Sequence, residues 1–392
     1  MNKQQIINYI NSLKAKDYGF YLQSQYKQRT LMSSAFSIIT LELIDGMNVL
    51  DKNNESSYFL SSQDPNTGLF IDPDVIRQPK NISDLGYNYI HYQTTAFSIS
   101  SLDALGTQPE YPFHFLNPFR NREYLKNWLF KLDWSNPWLE SNKVMFLLQF
   151  FSYEDIRNNN NESKALVLYL LDLLNKMNDP ITGYWGTNLG SSYFNAMAGA
   201  FHFYNHYKYY DKEIPNKRHA FINTINMQEK DGLFHPLGGG GACEDLDAVD
   251  IIHKIFEHHK YGKNALIKAY NSIINSQMED GGFCWAKRPQ FPLLFGIKHL
   301  NPFNKSFHSG MCKWIIKRNI LGSLLTHLKD PKMYQYSGWE LMKYNIDESD
   351  GWSTWFRILA LATIEANYPH LKKHDIDFNF RSLPSLGWQY VN

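Results

Sequence analysis

The densest group of residues able to do chemistry lies at positions 243–250, in the order Cys-Glu-Asp-Leu-Asp-Ala-Val-Asp. Its four carboxylates, Glu244, Asp245, Asp247 and Asp250, follow four consecutive glycines and precede an apolar helical stretch. Like charges this close cannot all ionise cheaply inside a cavity, so the pKa of at least one carboxyl should rise. A carboxyl that stays neutral can donate a proton, and the cluster therefore predicts general acid catalysis.

The spacing of these residues separates two roles. On an α-helix, Cys243, Asp247 and Asp250 share one face, whereas Asp245 points away from it. Acidic side chains in the first turn also stabilise a helix through its macrodipole, so an acidic cap without catalytic duty is the alternative interpretation. The residues alone leave open whether the cluster is catalytic or only a helix cap.

One structural unit recurs along the chain. A helix ends in a turn that contains Asp and Gly, an aromatic residue follows, and a second apolar helix comes after a loop. Gly183, Gly232 and Gly281 are about 49 residues apart, a period typical of repeat architectures. Glycine supplies the left-handed conformation that ends a helix, and Asp turns the chain through side-chain hydrogen bonds. The turns lie at 17–20, 64–70, 133–138, 179–185, 231–234, 280–283 and 350–352.

The second helix of each unit predicts the fold. Several of these helices are rich in small residues, which suit crowding around an axis, whereas the preceding helices are more amphipathic, as an outer ring should be. No segment alternates apolar and polar residues for long enough to predict β-strands instead of helices. We therefore expect an all-α protein, an α/α toroid (barrel) of six to seven helical hairpins, with residues 1–392 as one domain and 370–392 as an extended carboxyl-terminal tail. The predicted inner helices are 30–43, 94–105, 142–151, 192–207, 245–258, 307–325 and 354–364.

Loops that enter the inner helices of such a barrel converge at one end of its cavity, where ligand sites form. Polar residues on these loops and first turns, together with aromatic residues expected to line the cavity, are the candidates for substrate binding. They are His91, Trp185, Tyr193, Asn195, Phe234, His235, Trp285, His308 and Trp355.

A metal site is a further hypothesis. His308 could bind zinc together with Cys243, Asp245 or Asp247, through mixed nitrogen, oxygen and sulfur ligands. The chain carries no CxxC or HExxH motif that would make such a site compact. The sequence therefore predicts no particular cofactor, and binding of a zinc or magnesium ion stays an alternative.

The composition narrows the class of protein. The chain is 43% hydrophobic and 20% charged, as in globular proteins. Its net charge is +1, so it lacks the excess of positive charge typical of proteins that bind nucleic acid. Three cysteines are too few for a disulfide framework, and the amino terminus lacks the apolar core of a signal peptide. No apolar run approaches the roughly 20 residues of a membrane span. We expect a cytoplasmic protein without an integral membrane segment, in which peripheral membrane contact remains open.

The turns at 228–234 and 277–283 resemble the repeats of the α/α toroids of terpene cyclases and protein prenyltransferases. Class II terpene cyclases carry Asp-x-Asp-Asp-Thr-Ala at the start of an inner helix, and this chain has Asp-Leu-Asp-Ala at 245–248. The resemblance implies that Asp247 protonates an alkene or epoxide with Asp245 in support. The second adjacent Asp and the Thr of that motif are absent here.

The prenyltransferase resemblance concerns zinc instead. The β subunits of those enzymes bind the metal through an Asp, a Cys two residues later and a His on the next inner helix. The matching positions here are Asp245, Asp247 and His308, so the cysteine is replaced. Other α/α toroids act on polysaccharides as hydrolases, lyases or epimerases, so the fold alone does not fix the function.

Three hypotheses follow. The first is a cyclase- or isomerase-like enzyme that protonates an isoprenoid through Asp247, with Asp245, Asp250 and Glu244 tuning the pKa of that acid. The second is a glycan-active lyase, hydrolase or epimerase, in which Tyr193, His235 and His308 are candidate acids or bases. The third is a non-catalytic toroid that binds a partner, which requires an exposed acidic cluster and no deep cavity.

Overall fold

The computed structural model describes residues 1–73, 86–236, 238–256, 259–287 and 333–389. The structure is mostly helical, and the predicted all-α class is confirmed. The even-numbered helices are buried on nearly all sides: α2 Leu31–Leu43, α4 Gly86–Leu105, α6 Pro137–Asn158, α8 Tyr193–Tyr209, α10 Ala242–Phe256 and α12 Gly351–Asn367. The odd-numbered helices bury mainly one face: α1 Lys3–Ser12, α3 Lys52–Leu60, α5 Arg122–Lys131, α7 Asn161–Met177, α9 Lys217–Asn226 and α11 Lys260–Ile274.

The even-numbered helices contact one another in sequence order. Helix α2 packs on α4, α4 on α6, α6 on α8, α8 on α10 and α10 on α12. Helix α12 packs in turn on α2, so the series of contacts returns to its beginning. The odd-numbered helices lie against this set, for example α7 on α6 and α9 on α10. No helix in the described part of the chain is both long and apolar enough to cross a bilayer.

Two short antiparallel hairpins interrupt the helical pattern. Strand β1 (Tyr21–Gln23) pairs with β2 (Tyr26–Arg29), and β3 (Met333–Gln335) pairs with β4 (Lys343–Asn345). Strands of three or four residues are too short to show a period-two pattern, which is why the sequence did not predict them. Short 3₁₀ helices complete the elements, at Met47–Val49, His114–Arg120, Thr187–Leu189, Tyr336–Gly338 and Pro369–Leu371.

Two of the predicted inner helices are longer in the structure than the sequence indicated. The helix expected at 94–105 begins already at Gly86, so His91 lies within α4 and not on a loop before it. The helix expected at 142–151 spans Pro137–Asn158, because Pro137 occupies the first turn, where its missing N–H costs nothing. The helix predicted at 307–325, with His308, lies outside the described residues.

The turn glycines take the left-handed conformation that the repeat predicts, with φ of +76° at Gly183 and +96° at Gly281. They also allow close packing. A Cβ on Gly183 would lie 2.5 Å from the backbone nitrogen of Ala220 in α9, and one on Gly281 would lie 2.5 Å from the backbone oxygen of Gln5 in α1. Each of these turns therefore docks on the backbone of another odd-numbered helix. Gly351 differs, because it begins α12 instead of ending a helix.

Replacing Gly183 by alanine should therefore destabilise the protein more than the backbone conformation alone explains. Gly106 is the matched control, because its φ is +76° and nothing lies within 4 Å of an added Cβ. We expect Gly106→Ala to cost about 1–2 kcal/mol, the ordinary cost of a left-handed alanine. Gly183→Ala should cost at least about 1 kcal/mol more, because the neighbouring backbone must move. Urea denaturation measures both, and equal losses would contradict the docking role.

The carboxyl-terminal segment 372–389 has no regular secondary structure and crosses the carboxyl-terminal parts of the even-numbered helices. The N–H of Asn379 donates to the carbonyl of Leu43 in α2 at 2.8 Å, and Arg381 donates to the carbonyl of Ser100 in α4 at 2.7 Å. The carbonyl of Ser385 accepts a hydrogen bond from Asn205 of α8. The segment thus covers one end of the helical assembly.

Candidate functional site

A cavity of about 370 Å³ lies among the even-numbered helices, between the first turns of several of them and Leu386 of the carboxyl-terminal segment. Its lining includes Trp138, Cys243 and Trp352, which are the second residues of α6, α10 and α12. Much of the lining is aromatic: Tyr89, Phe97, Trp138, Phe201, Trp285, Tyr336, Trp352 and Phe356. The rings of Trp285 and Trp352 stack with their centroids 4.6 Å apart. Such a wall presents apolar area and π-faces to a bound molecule.

The cavity also has polar lining residues: Gln93, Asn136, Asn142, His202, Cys243, Asp247 and Ser337. The amide of Gln93 donates to the hydroxyl of Tyr336 at 3.1 Å. Two of the polar residues, Cys243 and Asp247, belong to the acidic cluster that the sequence singled out. Part of the predicted site on α10 therefore lines the cavity.

Asp247 is the carboxyl of the cluster that faces the cavity. Its side chain is buried, with a relative exposure of 1%, and no hydrogen-bond partner among the described residues reaches its Oδ2. Burial raises the pKa of Asp247 well above its ordinary value, and the nearby carboxylates of Glu244, Asp250 and Asp245 raise it further. Both effects favour the neutral form of the Asp247 carboxyl, and its Oδ2 lies without a hydrogen-bond partner among the described residues at the wall of the cavity.

Asp245 has a structural role. It accepts hydrogen bonds from the backbone N–H of Phe234 at 2.7 Å and of Gly241 at 3.1 Å, and it forms a buried ion pair with Arg357 of α12. The same guanidinium donates to the carbonyl of Trp285 at 2.8 Å. Asp245 thus holds the glycine-rich loop before α10 and links that helix to α12.

The repeat explains why Asp245 lies where it does. In four turns, the N–H of the buried aromatic residue donates to a side chain on the following even-numbered helix. The pairs are Phe20–Ser34, Phe70–Thr95, Phe234–Asp245 and Phe283–Thr354, at 2.9, 2.9, 2.7 and 2.9 Å. Two residues after these acceptors the chain carries Phe36, Phe97, Asp247 and Phe356, respectively. Asp247 therefore replaces the phenylalanine found at this position in the other three units.

The other carboxylates of the cluster lie outside the cavity lining. Asp250 forms a buried ion pair with Lys254, one turn further along α10. The Glu244 carboxylate accepts a hydrogen bond from the Cys243 thiol at 3.4 Å. Burial, followed by the charge of Glu244, raises the pKa of Cys243 well above its ordinary value, so this residue is a protonated thiol. Asp247 is thus the one cluster carboxyl that lines the cavity.

The candidate zinc ligands are only partly brought together. Cys243 and Asp247 line the same cavity, whereas the carboxylate of Asp245 is engaged by Arg357. His308 lies outside the described residues. Among the residues that are described, no group of three or more His, Cys, Asp and Glu side chains is placed to hold a metal ion. Because thiolate is the form that binds zinc, a metal here would have to displace the thiol proton of Cys243.

Of the predicted substrate-binding residues, Trp285 lines the cavity. The others that the structure describes lie outside its lining: His91, Trp185, Tyr193, Asn195, Phe234, His235 and Trp355. Trp185 is buried in the core and its indole N–H donates to the carbonyl of Leu174 at 2.8 Å. Trp355 packs against Phe36 and Phe97. These aromatic residues fill the spaces between helices.

His202 lines the cavity from the middle of α8 and is not among the site residues predicted from the sequence. Its Nδ1 lies 2.7 Å from the hydroxyl of Ser141 on α6, and burial lowers the pKa of His202 to about 3. The imidazole is therefore neutral at pH 7. A signal was present in the sequence, because His202 and His206 are one helical turn apart in a helix rich in apolar and aromatic residues.

Neither a family model nor a curated protein nor a solved structure matches this chain.

Proposed function

We propose that the protein is an α/α toroid enzyme whose cavity protonates an apolar, isoprenoid-like substrate through Asp247. In this proposal the even-numbered helices form the inner ring and the odd-numbered helices form the outer ring. The return of the helix contacts from α12 to α2 supports the ring, as does the docking of the Gly281 turn on α1. The cavity volume, about 370 Å³, falls in the lower part of the range for small-molecule sites.

The observation that carries the proposal is the buried Asp247 carboxyl in an aromatic wall, because burial raises its pKa and its Oδ2 has no hydrogen-bond partner within the described ranges of the chain. The acid would give its proton to one alkene carbon, forming a C–H bond from the π electrons and leaving a cation on the more substituted carbon. Trp138, Trp285 and Trp352 would face that cation with their π-systems. A carbon next to the cationic carbon would then lose a proton to the Asp247 carboxylate. This step would restore the acid and leave an isomerised or cyclised alkene.

Deuterium transfer tests this role. The protein would be incubated in D₂O with geraniol, farnesol, geranylgeraniol and their terminal epoxides, and the deuterium content of recovered substrate and product measured by mass spectrometry. We expect incorporation with the wild type and its loss in Asp247→Asn, because the amide cannot donate an acidic proton. Asp172→Asn, on the exposed face of α7, is the control that should retain incorporation. Equal incorporation by Asp247→Asn and wild type would refute the role of Asp247 as the acid, and no incorporation by the wild type would argue against the isoprenoid substrate.

The polar lining favours one second candidate, a glycan-active enzyme. The amides of Gln93, Asn136 and Asn142 share the cavity with His202, and aromatic faces beside such groups suit sugar rings. Quenching of tryptophan fluorescence by sugars instead of isoprenoids would favour this candidate. The hypothesis of a partner-binding toroid has less support, because all four carboxylates of the acidic cluster are buried.

A further inference from the structure

A second, much smaller cavity, of about 10 Å³, lies next to the first. The residues that line it come from α2, α4, α6, α12 and the carboxyl-terminal segment: Ile39, Ala96, Phe97, Ser100, Met145, Phe146, Gln149, Trp355 and Leu386. Three of them, Phe97, Met145 and Leu386, also line the large cavity. These three side chains therefore form the wall between the two spaces.

The members of this wall differ in how readily they can move. Phe97 is held between Phe36 and Trp355, with ring centroids 5.0 and 6.0 Å away. Met145 is an unbranched side chain that can adopt several shapes at small cost. Leu386 lies on the carboxyl-terminal segment, which has no regular secondary structure. The wall is thus one fixed ring and two side chains that can yield.

The polar groups beyond the wall, the Gln149 amide and the Ser100 hydroxyl, are hydrogen-bonded to each other. The Gln149 amide donates to the carbonyl of Ala96 at 2.9 Å and to the hydroxyl of Ser100 at 3.0 Å. An apolar chain entering the small cavity would therefore not have to compete for these hydrogen bonds. Apolar cavities of this kind accept apolar ligands when they are enlarged.

We propose that Met145 and Leu386 set the length of the apolar ligand by closing the large cavity against the small one. This inference rests on the proposed function, because it assumes that the ligand is an extended apolar chain. Removing either side chain would join the two cavities and extend the site towards the carboxyl-terminal segment. The two residues would then be specificity determinants that contact the distal end of the ligand and not its reacting atoms.

Binding of isoprenoid alcohols tests the inference. The dissociation constants of farnesol and geranylgeraniol would be measured by quenching of the cavity tryptophans, for wild type, Leu386→Ala and Met145→Ala. We expect the affinity for geranylgeraniol relative to farnesol to rise by about tenfold or more in both variants, since even one methylene changes affinity this much in a closed pocket. Leu383→Ala is the matched control, because Leu383 is buried on the same segment and lines neither cavity.

The outcomes separate this inference from the proposed function. If the wild type binds farnesol and the ratio is unchanged in both variants, the chain-length role is overturned and the proposed function stands. If neither alcohol binds to any form of the protein, the isoprenoid function is overturned and the chain-length role falls with it. Met145→Ala probes the wall from α6, so the question is still decided if Leu386→Ala does not fold.

Discussion

Asp245→Asn is expected to destabilise the protein by about 3–5 kcal/mol, the cost of breaking a buried ion pair from one side. The reason is Arg357, which would remain charged in the core with 1% of its side chain exposed. Its Nε already lacks a hydrogen-bond partner among the described residues, so the pair with Asp245 is its main compensation. The amide could still accept one hydrogen bond from Phe234 or Gly241, but it would carry no charge.

Asp247→Asn is the matched control for this prediction. Both residues lie two positions apart on α10 and are buried, but only Asp245 has an ion-pair partner among the residues that the structure describes. We expect this variant to be as stable as the wild type or more stable at neutral pH, since a buried carboxyl without a partner is itself destabilising. Urea denaturation followed by circular dichroism compares the two variants, and equal losses would contradict the assignment of roles.

A double variant sharpens the test. Combining Asp245→Asn with Arg357→Met removes both charges and with them the cost of burying an unpaired guanidinium. The double variant should therefore recover part of the stability that Asp245→Asn loses. If the double variant loses as much free energy of unfolding as Asp245→Asn and Arg357→Met lose together, the ion pair does not account for the instability of Asp245→Asn.

Asp350→Asn is expected to remove a large part of the dependence of stability on pH. Asp350 caps α12 and accepts a hydrogen bond from the N–H of Ser353 at 2.7 Å. Burial raises the pKa of Asp350 to about 7, against the lowering effect of its hydrogen bonds with Ser353. Its pKa in the unfolded chain is about 3.9. Between these values the folded state keeps a proton that the unfolded state has lost, so rising pH favours unfolding.

A shift of about 3 pKa units corresponds to about 4 kcal/mol, which the wild type should lose progressively from pH 4 to above pH 7. Asparagine caps a helix as well as aspartate does and has no proton to lose. The variant should therefore match the wild type near pH 4 and exceed it by a few kcal/mol at pH 8. The prediction is tested by measuring the free energy of unfolding of both proteins from pH 4 to pH 8. If the free energy changes equally with pH in the two proteins, Asp350 does not contribute to the pH dependence.

The features that the sequence predicts well depend on local geometry. The glycines of the turns, the starts of α2 and α8 near residues 30 and 192, and the helical spacing of Asp245 and Asp247 each depend on a few adjacent residues. The separation of Asp245 from the cavity face was therefore visible in the spacing. Its cause was not, because Arg357 lies 112 residues further along the chain.

The aromatic residues show the opposite case. Trp185, Trp285 and Trp355 occupy similar positions near the repeated turns, yet only Trp285 of the three lines the large cavity. Which way such a ring points depends on the packing of helices distant in sequence, and composition carries no information about it. His202 was not predicted for the same reason, since its contact with Ser141 and its position at the cavity depend on the packing of separate helices.

The packing of α12 on α2 has a consequence for synthesis of the protein. Helix α2, which ends at Leu43, is buried on nearly every side, but its partner begins only at Gly351. At roughly 5–20 residues per second, a ribosome takes on the order of 15–60 s to reach that partner. During this interval the apolar surface of α2 lacks one neighbour, so we expect the nascent chain to need protection from aggregation until α12 emerges.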